Sequence, residues 1–172
     1  PDTDFISRRL QVRLPQEKAD VAFIFIGGFA EQVLTHFRSV YEGTPVLPVA
    51  GKQVRACYAW DGGRGCLPFH STRLIRDDIK RFLQTNPGAD LVLVGHSYGG
   101  SAVMDVIRQL DGGHGKIIAV TLDAVSCRER SHPRERAKGV DYWVNVYCSP
   151  YRHPKDIAAM VGGQWRECPQ AD

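Results

Sequence analysis

The sequence predicts an α/β protein: a mostly parallel sheet flanked by helices on both faces. Three observations predict it. Strand-length runs such as Val21-Ala22-Phe23-Ile24-Phe25-Ile26 and Leu91-Val92-Leu93-Val94 are apolar throughout. They lack the alternation of a half-wet strand and therefore belong in a sheet covered on both sides. Segments with apolar residues at helical spacing follow these runs in turn, which is the order a parallel sheet with crossover helices requires. At 172 residues and 43% hydrophobic, the chain can bury one sizeable core and reads as a single domain, residues 1–172.

Leu10-Gln11-Val12-Arg13-Leu14 alternates like a half-buried edge strand, and residues 21–26 form the first buried one. Gly27-Gly28 ends it. Val33, Leu34, Phe37, Val40 and Tyr41 then lie on one helical stripe, stopped by Gly43 and Pro45. Residues 54–60 read as the next strand. Leu74, Ile75, Ile79, Phe82 and Leu83 mark a second amphipathic helix, which Asn86-Pro87-Gly88 terminates. Residues 90–94 return as a buried strand, and Ala102, Val103, Val106, Ile107 and Leu110 share one face of the helix after it. Residues 116–122 and 142–147 supply two further strands. Functional sites in such sheets lie beyond the carboxyl ends of the strands.

Composition excludes several function classes. With 22 Lys and Arg against 19 Asp and Glu, no general field argues for a nucleic-acid partner, and no basic stripe is interleaved with aromatics. No apolar run approaches the roughly 18 residues of a membrane span, so a soluble protein is expected. Five cysteines, Cys57, Cys66, Cys127, Cys148 and Cys168, are too scattered for a disulfide scaffold, and no Cys-x-x-Cys or His-x-x-x-His spacing suggests a metal site. No secretory signal is visible, the first residue is Pro1, and the compartment stays open, export included.

Gly95-His96-Ser97-Tyr98-Gly99 carries the chemistry. In a Gly-x-Ser-x-Gly turn the serine sits in a strained backbone conformation, and side chains at the flanking positions would collide with the neighbouring strand and helix. The pattern is weak alone, but here it directly follows an apolar strand and directly opens an amphipathic helix. Gly99, Gly100 and Ser101 are small enough for close packing between the two.

Through Phe23-Ile24-Phe25-Ile26-Gly27-Gly28-Phe29, Leu91-Val92-Leu93-Val94-Gly95-His96-Ser97-Tyr98-Gly99-Gly100 and Val120-Thr121-Leu122-Asp123-Ala124-Val125, the chain resembles the α/β-hydrolase superfamily in its lipase, esterase and thioesterase branch. The resemblance covers most of the chain, and its specific part is the Ser97 motif. It implies a nucleophile at Ser97 and an oxyanion hole made by the N–H groups of Phe29 and Tyr98. Gly27-Gly28-Phe29 stands where the family has His-Gly-x, with Gly in place of His. No cofactor is implied. Some bacterial toxins exported against competitors use small lipase-like domains of this kind and travel with a neutralising partner protein, so the resemblance leaves a toxin with such a partner open.

The order Ser, Asp, His of this fold makes Asp123 the candidate acid, since it follows strand 116–122 directly; some lipases of the superfamily place their acid there. Asp156 is the runner-up, and Asp141, which precedes a strand, points to the wrong edge. Only His132 and His153 follow Asp123. His153 lies beyond strand 142–147 on the correct edge and is the candidate base. The family carries its His after one further strand, which is not evident here. The expectation is therefore a sheet lacking its last strand, with residues 157–172 leading toward it and the true base beyond Asp172.

Cys127 and Cys148 fall past neighbouring strand ends, so a disulfide or two thiols remain open. Residues 128–138 hold five Arg or Lys against two Glu, a lid, a head-group contact or a solvated loop. Trp60, Phe69 and Tyr98 are candidate walls of an acyl pocket. The function expected is hydrolysis of carboxylic esters, foremost lipid or phospholipid acyl esters, with a lipid or small ester as substrate and peripheral membrane contact. The alternatives are a non-catalytic hydrolase-like binding module, and a thioesterase or peptidase of the same fold.

Overall fold

The computed structural model describes residues 11–28, 36–45, 49–59, 71–125, 135–147, 163–166 and 168–172. Its elements run β1 (Val21–Gly27), α1 (His36–Gly43), β2 (Gln53–Ala59), α2 (Ser71–Thr85), β3 (Asp90–His96), α3 (Tyr98–Ile107), β4 (Ile117–Leu122) and β5 (Tyr142–Val146). The five strands are all parallel, in the order β2-β1-β3-β4-β5. The α/β architecture expected from the apolar runs is therefore present.

β1 is buried along its whole length because both faces of the sheet are covered. Ala22, Ile24 and Ile26 pack with Ile75, Ile79 and Phe82 of α2 and Val103 and Ile107 of α3. Val21, Phe23 and Phe25 turn the other way, to Phe37 and Tyr41 of α1. Phe25 meets Tyr41 edge to face at 5.4 Å between centroids, and the Arg55 guanidinium lies 4.6 Å over the Tyr41 ring.

α2 forms because Ile75, Ile79, Phe82 and Leu83 share one stripe, and each such side chain contributes about 1.5–3 kcal/mol on full burial. It stops at Asn86, whose amide nitrogen donates to the Phe82 carbonyl (3.1 Å) while its amide oxygen accepts the Ala19 N–H (3.0 Å). One side chain thus ends the helix and ties it to the entry of β1. Gly88 follows at φ 79°.

The expected edge strand over residues 10–14 reduces, within the described residues, to an isolated antiparallel bridge between Val12 and Cys57. Side chains intercept the rest. The Leu14 N–H donates to the Tyr58 hydroxyl (3.0 Å), and Arg13 Nε donates to Asp78 (2.8 Å). Asp78 lies on the buried face of α2 and also accepts from Tyr58 (2.8 Å) and from Arg81. Burial alone pushes its carboxyl up, but the hydrogen bonds from Arg13, Tyr58 and Arg81 outweigh this and hold it below the usual carboxylate range.

At the far edge of the sheet, the described residues among 163–172 pack back on β4 and β5. Gln164 bridges Val125, Trp165 is fully buried edge to face against Trp143, and the Asp172 N–H donates to the Trp143 carbonyl (2.8 Å). An apolar indole in this stretch finds its core by folding back on β5. No helix among the described residues is long and apolar enough to cross a membrane.

Candidate active site

A parallel sheet brings the carboxyl ends of all its strands to one edge, and here β1, β3 and β4 lie side by side. Chain order reverses between β1 and β3, which is where crevices open in sheets of this kind. Gly28 leaves β1, Ser97 leaves β3 and Asp123 leaves β4 at that edge.

Ser97 links β3 directly to α3 with φ 55° and ψ −125°, and its hydroxyl does not cap the helix. A left-handed φ is costly for a residue with a Cβ. Hydrogen bonds enforce it: the Ser97 N–H donates to the Leu122 carbonyl (3.0 Å), and its carbonyl accepts from Gly100 (2.9 Å) and Val125 (3.1 Å). The flanking residues must be small. A Cβ on Gly100 would sit 2.5 Å from the Ala124 Cβ, and Cβ atoms on Gly95 or Gly99 would overlap backbone of Gly99 or Ile26. Tyr98 is the first residue of α3, so its amide stands at the positive end of a helix dipole.

Gly28 has a role that sequence reasoning had not assigned. A Cβ there would come within 2.6 Å of the Ser97 Cβ, 2.8 Å of the His96 carbonyl oxygen and 3.1 Å of Ser97 Oγ. The exit of β1 therefore presses directly on the serine side chain, and only glycine leaves the space. Its visible sequence signal was the paired Gly27-Gly28 after an apolar run.

Asp123 also has a left-handed backbone, φ 44°, with its N–H donating to the Val146 carbonyl (2.7 Å). Asp141 lies at the amino edge, where its carboxylate accepts the Ile117 N–H (2.7 Å), as its place before β5 implied. His114, next to Gly115, is at that opposite edge too, and the His96 ring stacks on Phe37 of α1 at 5.7 Å. The structure thus places Ser97, Tyr98 and Asp123 on one edge. Phe29, His132, His153, Asp156, Trp60, Phe69, Cys127 and Cys148 lie outside the described residues, as does most of the basic stretch 128–138.

A groove of about 620 Å³ opens at the amino edge, lined by Lys18, Asp20, Lys52, Asn86 and Asp90. Its carboxylates serve the fold, Asp20 accepting the Lys52 N–H and Asp90 the Lys116 N–H. Among the described residues, no three His, Cys, Asp or Glu side chains converge as metal ligands would. No protein-family model matches the chain, and no curated protein matches it either.

Proposed function

We propose that this chain is a serine hydrolase of the α/β-hydrolase type that cleaves carboxylic esters, foremost lipid or phospholipid acyl esters, through an acyl-enzyme on Ser97. The observation that carries the reading is the backbone of Ser97. A serine held at φ 55° between a buried strand and a helix, with glycine clearance at Gly28, Gly95 and Gly99, has been given strain in exchange for position. The strand order alone does not single out this class, since other doubly wound sheets share it.

In this reading Ser97 Oγ attacks the acyl carbon while its proton passes to a histidine, for which His153 is the candidate, oriented by Asp123. The carbonyl oxygen becomes an oxyanion that accepts hydrogen bonds from the Tyr98 and Phe29 amides, where one such donor lowers the barrier by about 3 kcal/mol. Collapse expels the alcohol, which takes the proton back from the histidine. Water then repeats both steps on the acyl-enzyme and releases the acid.

The lipid preference is supported by an apolar stripe on β5. Tyr142, Val144 and Val146 share one face and are exposed, with Val146 at 52%, and Val146 is bonded through its carbonyl to Asp123. Apolar surface beside a candidate site suits contact with aggregated lipid.

Hydrolysis of short- and long-chain p-nitrophenyl esters by the chain and by Ser97→Ala tests this. Turnover that rises with acyl length and disappears in Ser97→Ala is expected; turnover unchanged by the substitution would overturn the assignment.

A further inference from the structure

Behind the candidate site, on the face of the sheet that carries α2 and α3, β4 and β5 share a buried polar chain. Thr121 and Trp143 are fully buried. The Trp143 indole N–H donates to Thr121 Oγ1 (2.9 Å), and the Thr121 hydroxyl donates to Asn145 Oδ1 (2.8 Å). Asn145 Nδ2 donates to the Trp165 carbonyl (3.1 Å), and the Trp165 N–H donates to the Ala124 carbonyl (2.9 Å). The chain of bonds leaves β4 at Thr121 and returns to the same segment three residues later.

What it encloses is the turn that carries Asp123 and holds Ser97. Leu122 accepts the Ser97 N–H, Asp123 donates to Val146, Ala124 accepts from Trp165, and Val125 donates to the Ser97 carbonyl. Four consecutive residues are each fixed by a backbone bond, and the Trp165 bond is the one secured through side chains. A buried hydroxyl that both donates and accepts fixes its partners' orientation, and losing it leaves the Trp143 N–H and Asn145 amide oxygen without their partner.

We propose that Thr121 and Asn145 are positioning residues for the Ser97 reaction: they set residues 164–165 against Ala124 and thereby hold Asp123 and the Ser97 turn in register. The role rests on the serine-hydrolase reading. Neither side chain touches substrate, so both act through the turn.

The test is the rate at which a fluorophosphonate labels Ser97 in the wild-type chain, Thr121→Val, Thr121→Ser and Asn145→Ser, with Ser97→Ala as background. It is read beside the ¹⁵N-labelled tryptophan indole spectrum and the melting curve. Thr121→Val keeps shape and removes the hydroxyl; labelling is expected to slow about 10- to 100-fold, the range a small displacement of reacting groups produces. The Trp143 indole signal should shift, because its N–H loses the Thr121 acceptor. Thr121→Ser restores the hydroxyl and should recover labelling to within about threefold of wild type, on the same scale. If Thr121→Val does not fold, Asn145→Ser carries the same expectation, since it removes the donor to Trp165. A wild-type chain that is not labelled at Ser97 overturns the hydrolase reading together with this role. Wild-type labelling matched by a folded Thr121→Val with a shifted Trp143 signal, or equal losses in Thr121→Val and Thr121→Ser, overturns the positioning role alone.

Discussion

Ser97 and Asp123, at the ends of neighbouring strands, are the two non-glycine residues with left-handed φ among the described residues, 55° and 44°. Their backbones are laced together, Ser97 N–H to the Leu122 carbonyl on one side of Asp123 and Val125 N–H to the Ser97 carbonyl on the other. Such conformations cost on the order of 1–3 kcal/mol each and persist where surrounding bonds over-determine them. Two side by side mark this edge of the sheet as a place where position outweighs local stability.

If Asp123 orients the base, Asp123→Asn should lower kcat/KM for p-nitrophenyl esters by about 10³- to 10⁴-fold, the loss seen when a triad carboxylate becomes an amide. Asparagine tolerates a left-handed φ as well as aspartate does, so the melting temperature should stay within a few degrees. Near-wild-type turnover in a folded variant would move the acid elsewhere, with Asp156 next in line.

Gly28→Ala tests the clearance at the serine. The added methyl would lie 2.6 Å from the Ser97 Cβ and 2.8 Å from the His96 carbonyl oxygen, and the second is backbone that cannot rotate aside. Overpacking of this kind costs about 1–3 kcal/mol. We expect a lower urea midpoint and a fluorophosphonate labelling rate at least tenfold down, a loss equal to about 1.4 kcal/mol of barrier. A variant as stable and as reactive as wild type would mean that β1 and the serine turn do not press on each other.

Much of the fold was legible because the buried strands carry their own signature. Phe23, Phe25, Leu91 and Leu93 sit in runs with no polar interruption, and Ile75, Ile79 and Phe82 fall on one helical stripe. The Ser97 turn was legible because glycine is the residue that close backbone approach demands, and glycine spacing is visible in a string of letters. What was not legible depends on partners far apart in sequence. Arg13 and Leu14 find Asp78 and Tyr58 instead of a strand partner, and Thr121, Asn145 and Trp165 form a bonded chain that no periodicity announces.

The Asp78 cluster predicts acid sensitivity. Unfolded, this carboxyl titrates near about 3.9, whereas in the fold the bonds from Arg13, Tyr58 and Arg81 hold it lower. A depressed carboxyl contributes stability that is fully present above its unfolded value and is lost as pH falls through its folded value. Asp78→Asn should therefore be less stable than wild type at neutral pH by about 2 kcal/mol, a figure reduced from that of a fully buried pair because Arg13 and Arg81 are half exposed. The gap should close between pH 4 and lower values, read as urea midpoints across pH 2.5 to 7. A gap that is constant across that range would show that the charge of Asp78 contributes nothing.

Ser97→Gly should make the protein more stable while abolishing ester hydrolysis. Glycine adopts φ 55° without the Cβ penalty, and the Ser97 hydroxyl makes no capping bond to α3 whose loss would offset the gain. Against this stands the larger backbone entropy glycine loses on folding, about 0.5–1 kcal/mol. Relief of a strained position is worth on the order of 1–3 kcal/mol, so the net is a gain of about 1 kcal/mol. The comparison that isolates the backbone is Ser97→Ala, which removes the same hydroxyl and keeps the strain. Ser97→Gly should therefore unfold at higher urea than Ser97→Ala, with both inactive. If the alanine variant is the more stable of the two, the left-handed backbone is not a cost the fold bears, and strain loses its standing as the mark of this site.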